Sequence, residues 1–157
     1  MSDDNVFLGV HEIGLAVEDL DSAIAQFEAV FGTKACQVIE APDPGIQMKF
    51  AYLHIGDQRV NLMQDIAPDG KGPIGRSVAR RGEGYFNSII QVSDLDATIE
   101  RLKAAGVKLV EDEPRVWTDG EYAGRRYKTN RVIWTQPRSF HGMLVEFQEF
   151  VWESDEP

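Results

Sequence analysis

Apolar residues recur at helical spacing twice along the chain. Leu20, Ile24, Phe27 and Phe31 form one stripe, and Leu95, Ile99, Leu102 and Ala105 form another. Each stripe predicts a helix with one buried face. Asp19 and Asp94 stand where an N-capping carboxylate belongs, and Asp21 and Asp96 suit the positive helix end. Gly32 and Gly106 sit where a left-handed C-terminal residue is expected. A short apolar strand precedes each helix, and extended, β-rich segments follow at 34–40, 46–55 and 58–64, then at 107–111, 127–136 and 143–150. The turn signals APDPG, HIGDQ and QPRSFHG separate them.

The two stretches are copies of one pattern. At a fixed offset of 75, residues 12–29 and 87–104 are identical at six of eighteen positions, among them the Asp-Leu-Asp before each helix. Each half therefore reads β-α-β-β-β, which predicts an α+β fold of two modules. Module one covers 5–66, a linker with a short helix near 74–81 covers 67–83, module two covers 84–151, and an acidic tail covers 152–157. One such half cannot cover both faces of its sheet. The expectation is a single domain in which two halves form a curled, cup-shaped sheet with helices outside.

Strand alternation assigns faces. Ile13, Leu15 and Val17 are predicted to pack on the first helix, leaving Glu12, Gly14 and Ala16 on the opposite side. In the second half Ser88, Ile90, Val92, Val145 and Phe147 take the helix side. Asn87, Ile89, Gln91, Leu144, Glu146 and Gln148 share the other. Phe50, Tyr52 and Trp134 also fall on the cup-facing parity, with Met48 beside them, and suggest an apolar wall for a flat or hydrophobic ligand.

Composition narrows the classes. Against 16 Lys+Arg stand 26 Asp+Glu, a formal charge of −10, which argues against nucleic acid as the main partner. No apolar run is long enough to span a membrane, and the acidic start MSDDNVFLGV does not read as a secretory signal. A lone Cys36 excludes an internal disulfide or CxxC site. The expectation is a cytoplasmic protein with a small-molecule substrate. Two basic clusters, Arg76, Arg80 and Arg81, then Arg125, Arg126 and Lys128, read either as solvated faces or as a grip for a phosphate or carboxylate.

HEIGLAVEDLDSA, the paired modules and the closing GMLVEFQE resemble the vicinal oxygen chelate superfamily, which includes glyoxalase I, extradiol dioxygenases, bleomycin-resistance proteins and methylmalonyl-CoA epimerases. The stretches GEGYFNSIIQVSDLDATIERLKAAGVKLVEDEPR and WTQPRSFHGMLVEF are nearest the epimerase branch. The resemblance covers nearly the whole chain and implies four metal-ligand positions inside the cup. Here they fall on Glu12 and Asn87, where the family usually has His, on Asn61, and on Glu146, which matches the family's acidic ligand. The acidic base position of the epimerases falls on Met48. Proteins of this group commonly form homodimers.

If they meet, Glu12, Asn61, Asn87 and Glu146 make an all-oxygen set. Such a set would favour Mg²⁺, Mn²⁺ or Ca²⁺ over Zn²⁺. Without a metal, Glu12 and Glu146 are candidate general acid and base groups, with Asn61 and Asn87 donating hydrogen bonds to a substrate oxygen. Gln91 shares their face, and His141, in the loop PRSFHGM, is a further candidate for ligand contact. His11 points away by parity, and His54 lies at the rim. Two functions follow from the resemblance. One is an isomerase- or lyase-like enzyme moving a proton next to a carbonyl, on an acyl-CoA or a hydrophobic carbonyl substrate. The other is a non-catalytic small-molecule binding protein of the bleomycin-resistance type.

Overall fold

The computed structural model describes residues 5–40 and 47–154. The APDPG turn lies outside them. The secondary structure is α+β, with eight strands and three α-helices among the described residues. The chain packs as two compact units, one formed by Glu12–Phe86, the other by the chain up to His11 together with the chain from Asn87 onward. The divisions fall immediately before Glu12 and immediately before Asn87, a pair separated by the repeat offset.

In the Glu12–Phe86 unit, strand β1 (Phe7–Ala16) runs, from Glu12 onward, parallel to β4 (Gln58–Asp65), which pairs antiparallel with β3 (Met48–Ile55), and β3 with β2 (Ala35–Glu40). Helix α1 (Leu20–Phe31) covers one face. Leu15, Ala51, Leu53 and Leu62 meet Leu20, Ile24 and Phe27 there. Leu20, Leu53 and Leu62 are essentially removed from solvent, each burial being worth about 1.5–3 kcal/mol. Asp19 caps the helix by accepting from the Ser22 N–H at 2.7 Å, and Gly32 ends it at φ 66°. The expected apolar row is shorter than predicted. Ile13 stays 44% exposed and Phe31 48%, because the helix contacts begin at Leu15 and Phe31 sits in the last turn.

The expected linker helix is α2 (Pro73–Arg81), started by Pro73 after Gly72. It belongs to the same unit and packs Ile74 and Val78 with Ala16, Met63, Met48 and Phe50, on the sheet face opposite α1. Its start is tied to β4 because the Asp65 carboxylate accepts from the Gly75 N–H at 2.9 Å. A Cβ on either Gly72 or Gly75 would collide with that carboxylate.

The second unit repeats the topology. Strand β5 (Gly84–Val92) runs parallel to β8 (Val145–Trp152), which pairs antiparallel with β7 (Arg125–Trp134), and β7 with β6 (Arg115–Tyr122). Helix α3 (Leu95–Ala104) packs Leu95, Ile99 and Leu102 against Val92, Val145, Phe147 and Ile133. Asp94 caps it through the Ala97 N–H at 2.8 Å, and Gly106 follows at φ 77°. Ala105, counted into the stripe, is instead the exposed C-cap.

The strand expected at 107–111 is not one: Leu109 makes an isolated bridge to Thr135, and the paired strand lies at 115–122. Val107 turns inward to close the α3 core, so its apolar character reflects a helix exit and not a ladder. The true strand was hidden by Asp119 and Gly120, turn-like residues that here lie inside β6. Gly120 is needed because the Tyr127 ring covers the place of a Cβ.

Among the described residues no helix is long and apolar enough to cross a membrane.

Candidate functional site

In each unit the face turned away from α1 or α3 carries a carboxylate–amide pair on two parallel neighbours. In the Glu12–Phe86 unit, Gly14 lies opposite Asn61 and Glu12 opposite Arg59 in the β1–β4 ladder. Their side chains share a face because residues directly opposite point the same way. Glu12 is 1% exposed and Asn61 9%. Asn61 Nδ2 donates to Glu12 Oε1 at 3.3 Å, and Arg59 Nε donates to Oε2 at 3.3 Å. A buried carboxylate is tolerable only with such partners, and Arg59 supplies both hydrogen bond and opposite charge. Arg59 was not among the expected site residues. Its signal was its parity with Asn61 in RVNLMQ.

In the second unit, Glu146 lies opposite Ile89 and Trp134, and Gln148 opposite Gln91. Glu146 accepts from Gln148 Nε2 at 2.6 Å, Trp134 Nε1 at 2.9 Å and Asn87 Nδ2 at 3.3 Å. The Trp134 ring is met edge-on by Trp117 and faced by the Arg115 guanidinium at 5.4 Å. Arg115 is itself held by a bidentate contact with Glu111.

The pairs are mirror assignments of one pattern. Glu12 and Asn87 share a position, and there carboxylate and amide are exchanged; Asn61 and Glu146, 85 apart, make the reverse exchange. The same spacing of 85 relates Gln64 and Glu149. Gln64 Oε1 accepts from the Leu20 N–H at 2.8 Å, and Glu149 Oε2 from the Leu95 N–H at 2.7 Å, so the last strand of each unit holds the start of its helix.

The asparagines were expected to donate to a substrate oxygen. Instead each turns an N–H toward its carboxylate, and Asn61 Oδ1 and Asn87 Oδ1 are buried without a hydrogen-bond partner among the described residues. What these amides offer is an acceptor.

A divalent ion needs several oxygens with lone pairs directed at one point. In each unit taken by itself, both carboxylate oxygens already accept from N–H groups, for Glu12 including a guanidinium, and one amide oxygen is orphaned. The donors as placed suit an N–H group better than a resident metal. Among the described residues no group of three or more His, Cys, Asp or Glu could hold a metal ion.

The remaining candidates separate. Tyr52, 5% exposed, lies opposite Asn61 on the same face. Met48 and Phe50 continue that row into the packing against α2, with the Phe50 and Tyr52 rings edge to face at 5.5 Å. His141 is exposed in the turn before β8, at φ 52°. His54 is exposed near the end of β3, opposite Arg59. The basic clusters are partly engaged: Arg76 binds the Lys71 carbonyl, Arg81 the Ser77 hydroxyl, Arg126 Glu153, and Arg125 lies over Trp152.

Residues 11–124 match the model of the Glyoxalase/Bleomycin resistance protein/Dioxygenase superfamily. The chain is 27% identical over 143 residues to the ethylmalonyl-CoA/methylmalonyl-CoA epimerase of Cereibacter sphaeroides, a match covering 89% of this chain and 96% of that protein. To the human mitochondrial methylmalonyl-CoA epimerase it is 22% identical over 141 residues, covering 89% and 73%. Among solved structures, the methylmalonyl-CoA epimerase of Mycobacterium tuberculosis superposes with a TM-score of 0.77 at 27% identity, covering 95% of this chain and 92% of the other. A methylmalonyl-CoA epimerase in complex with methylmalonyl-CoA and NH4+ gives 0.75 at 23%, covering 92% and 95%.

Proposed function

For a chain that belongs to the Glyoxalase/Bleomycin resistance protein/Dioxygenase superfamily, we propose proton transfer at the carbon next to the carbonyl of an acyl-CoA thioester. The observation that carries this reading is the Glu146 carboxylate, held by three neutral N–H donors on a face turned away from α3. Such donors fix its position without supplying an opposite charge. Glu146 takes the proton from the α-carbon, and the electron pair of that C–H bond moves onto the thioester oxygen as an enolate. Return of a proton to the carbon restores the thioester. Asn87 Oδ1 serves as an acceptor for the substrate, and Glu12 with Asn61 forms the second carboxylate–amide pair. The sequence match to malonyl-type CoA epimerases over 89% of the chain supports the substrate class. No step is assigned to a metal.

A second reading, binding without turnover, is favoured by one observation: the third-strand position expected to carry an acidic base holds Met48, which packs against α2. Incubation with methylmalonyl-CoA or ethylmalonyl-CoA in D₂O, followed by proton NMR, separates the two. Loss of the α-proton signal supports the enzyme. Retention of that signal with a measurable Kd supports the binding protein.

We also propose a homodimer. Leu8 and Val10, on one face of β1, are 57% and 50% exposed, an apolar pair suited to covering. Sedimentation at micromolar concentration should give twice the 17.6 kDa chain mass.

A further inference from the structure

Asn130 is a buried amide for which neither the fold nor the chemistry above has a use. It lies on β7, four residues before Trp134, between Trp117 on β6 and Phe150 on β8, each directly opposite it. The ladder is regular from Thr129 to Trp134, so Asn130, Trp134 and Glu146 share a face. Asn130 is 6% exposed, yet its Oδ1 has no hydrogen-bond partner among the described residues. Leaving a buried carbonyl oxygen unsatisfied costs about 1–3 kcal/mol. A leucine of similar size would avoid that cost.

An orphaned acceptor calls for a donor, and the setting says which kind. Trp117 and Phe150 flank the amide. Phe150 is braced by Trp152, stacked at 4.2 Å, and by Tyr122 and Tyr127. An uncharged N–H on a slender, largely apolar chain fits these walls. Four strand residues place Asn130 about 13 Å from the Trp134–Glu146 pair. In the pantetheine arm of an acyl-CoA, the second amide nitrogen stands nine bonds from the α-carbon. That is about 11 Å when extended, at the advance per bond of an extended chain, so hydrogen-bond contacts at the two ends close the difference.

We propose that Asn130 is a ligand-binding residue whose Oδ1 accepts the N–H of the second pantetheine amide, so that this face reads the length of the thioester arm. The inference rests on the acyl-thioester reading above.

Its test compares methylmalonyl thioesters of pantetheine and of N-acetylcysteamine, the latter having only the first amide. Asn130→Leu is expected to raise KM for the pantetheine thioester at least tenfold, the worth of one hydrogen bond to a buried acceptor. The KM for the N-acetylcysteamine thioester should move less than twofold, and the melting temperature should be unchanged or higher. Asn130→Asp, which keeps an acceptor oxygen, should recover most of the loss. An unchanged pantetheine KM in Asn130→Leu, or equal losses on both thioesters, overturns the proposal while wild-type turnover leaves the function standing. Failure of the wild-type chain to bind or process any of these thioesters overturns both.

Discussion

The two units set the same kinds of group on the same strands and hold them differently. In the Glu12–Phe86 unit the carboxylate comes from the first strand, and a guanidinium and an amide hold it. In the other it comes from the last strand, and an indole, a glutamine and an asparagine hold it. The repeat thus conserves a place for a carboxylate–amide pair without conserving which strand supplies which. It also leaves the donors free to set the role. Glu12, bound to Arg59, is half of a buried ion pair, a unit suited to holding shape. Glu146 accepts from three neutral donors, and on them the proposed proton transfer rests.

The largest expected effect tests that contrast directly. Glu146→Gln should cut α-proton exchange by about 10²-fold or more, the usual worth of a general acid or base, with the melting temperature little changed. Full activity would remove this carboxylate from the chemistry and favour the binding reading. Glu12→Gln should act chiefly on stability, because it removes the buried charge that pairs with the Arg59 guanidinium. A loss of about 2–3 kcal/mol in denaturant unfolding is expected. If turnover falls while stability holds, the assignment of roles to the two units is reversed.

Smaller effects should be shared by both units. Asp19→Ala and Asp94→Ala each remove one N-cap hydrogen bond and should each cost about 1 kcal/mol. Unequal losses would mean that one helix is held mainly by its strand partner, Gln64 or Glu149.

A pH dependence distinguishes the units again. The Arg131 guanidinium, bonded to Asp96 at 2.7 Å and Glu149 at 3.1 Å, holds the Asp96 carboxyl below its ordinary value of 3.8, and Asp96 in turn pushes Arg131 up. A depressed folded-state value means that this contribution is present above the unfolded-state value. It is lost as pH falls through the lower, folded one. The difference in melting temperature between wild type and Asp96→Asn should therefore be small, present at pH 6 and gone well below pH 4. The smallest expected effect is that of a chelator. EDTA should change neither melting temperature nor exchange, and recovery of a lost activity by Mg²⁺, Mn²⁺ or Ca²⁺ would instead establish an oxygen-ligated ion.

Periodicity alone carried the helices, their aspartate caps and the division into two β-α-β-β-β modules. Caps and amphipathic stripes are local, and the 75-residue offset repeats them. Parity likewise put Glu12, Asn87, Glu146 and Trp134 on the faces away from the helices. Local rules failed where a neighbour decides. The segment 115–122 was given no strand, but Gly120 pairs with Tyr127 and lies under its ring, inside β6. The 107–111 segment read as a strand, yet Val107 closes the α3 core.

What the sequence determined by itself was which residues could share a face, because side-chain direction along a strand follows from the backbone. Only tertiary structure decided what each of them meets. The β1–β4 register set Arg59 on Glu12, the β7–β8 register set Trp134 on Glu146, and the α2 packing took Met48 and Phe50 into a core. Hydrogen-bond partners 12 to 59 positions apart in the chain are chosen by strand register, which no local pattern encodes.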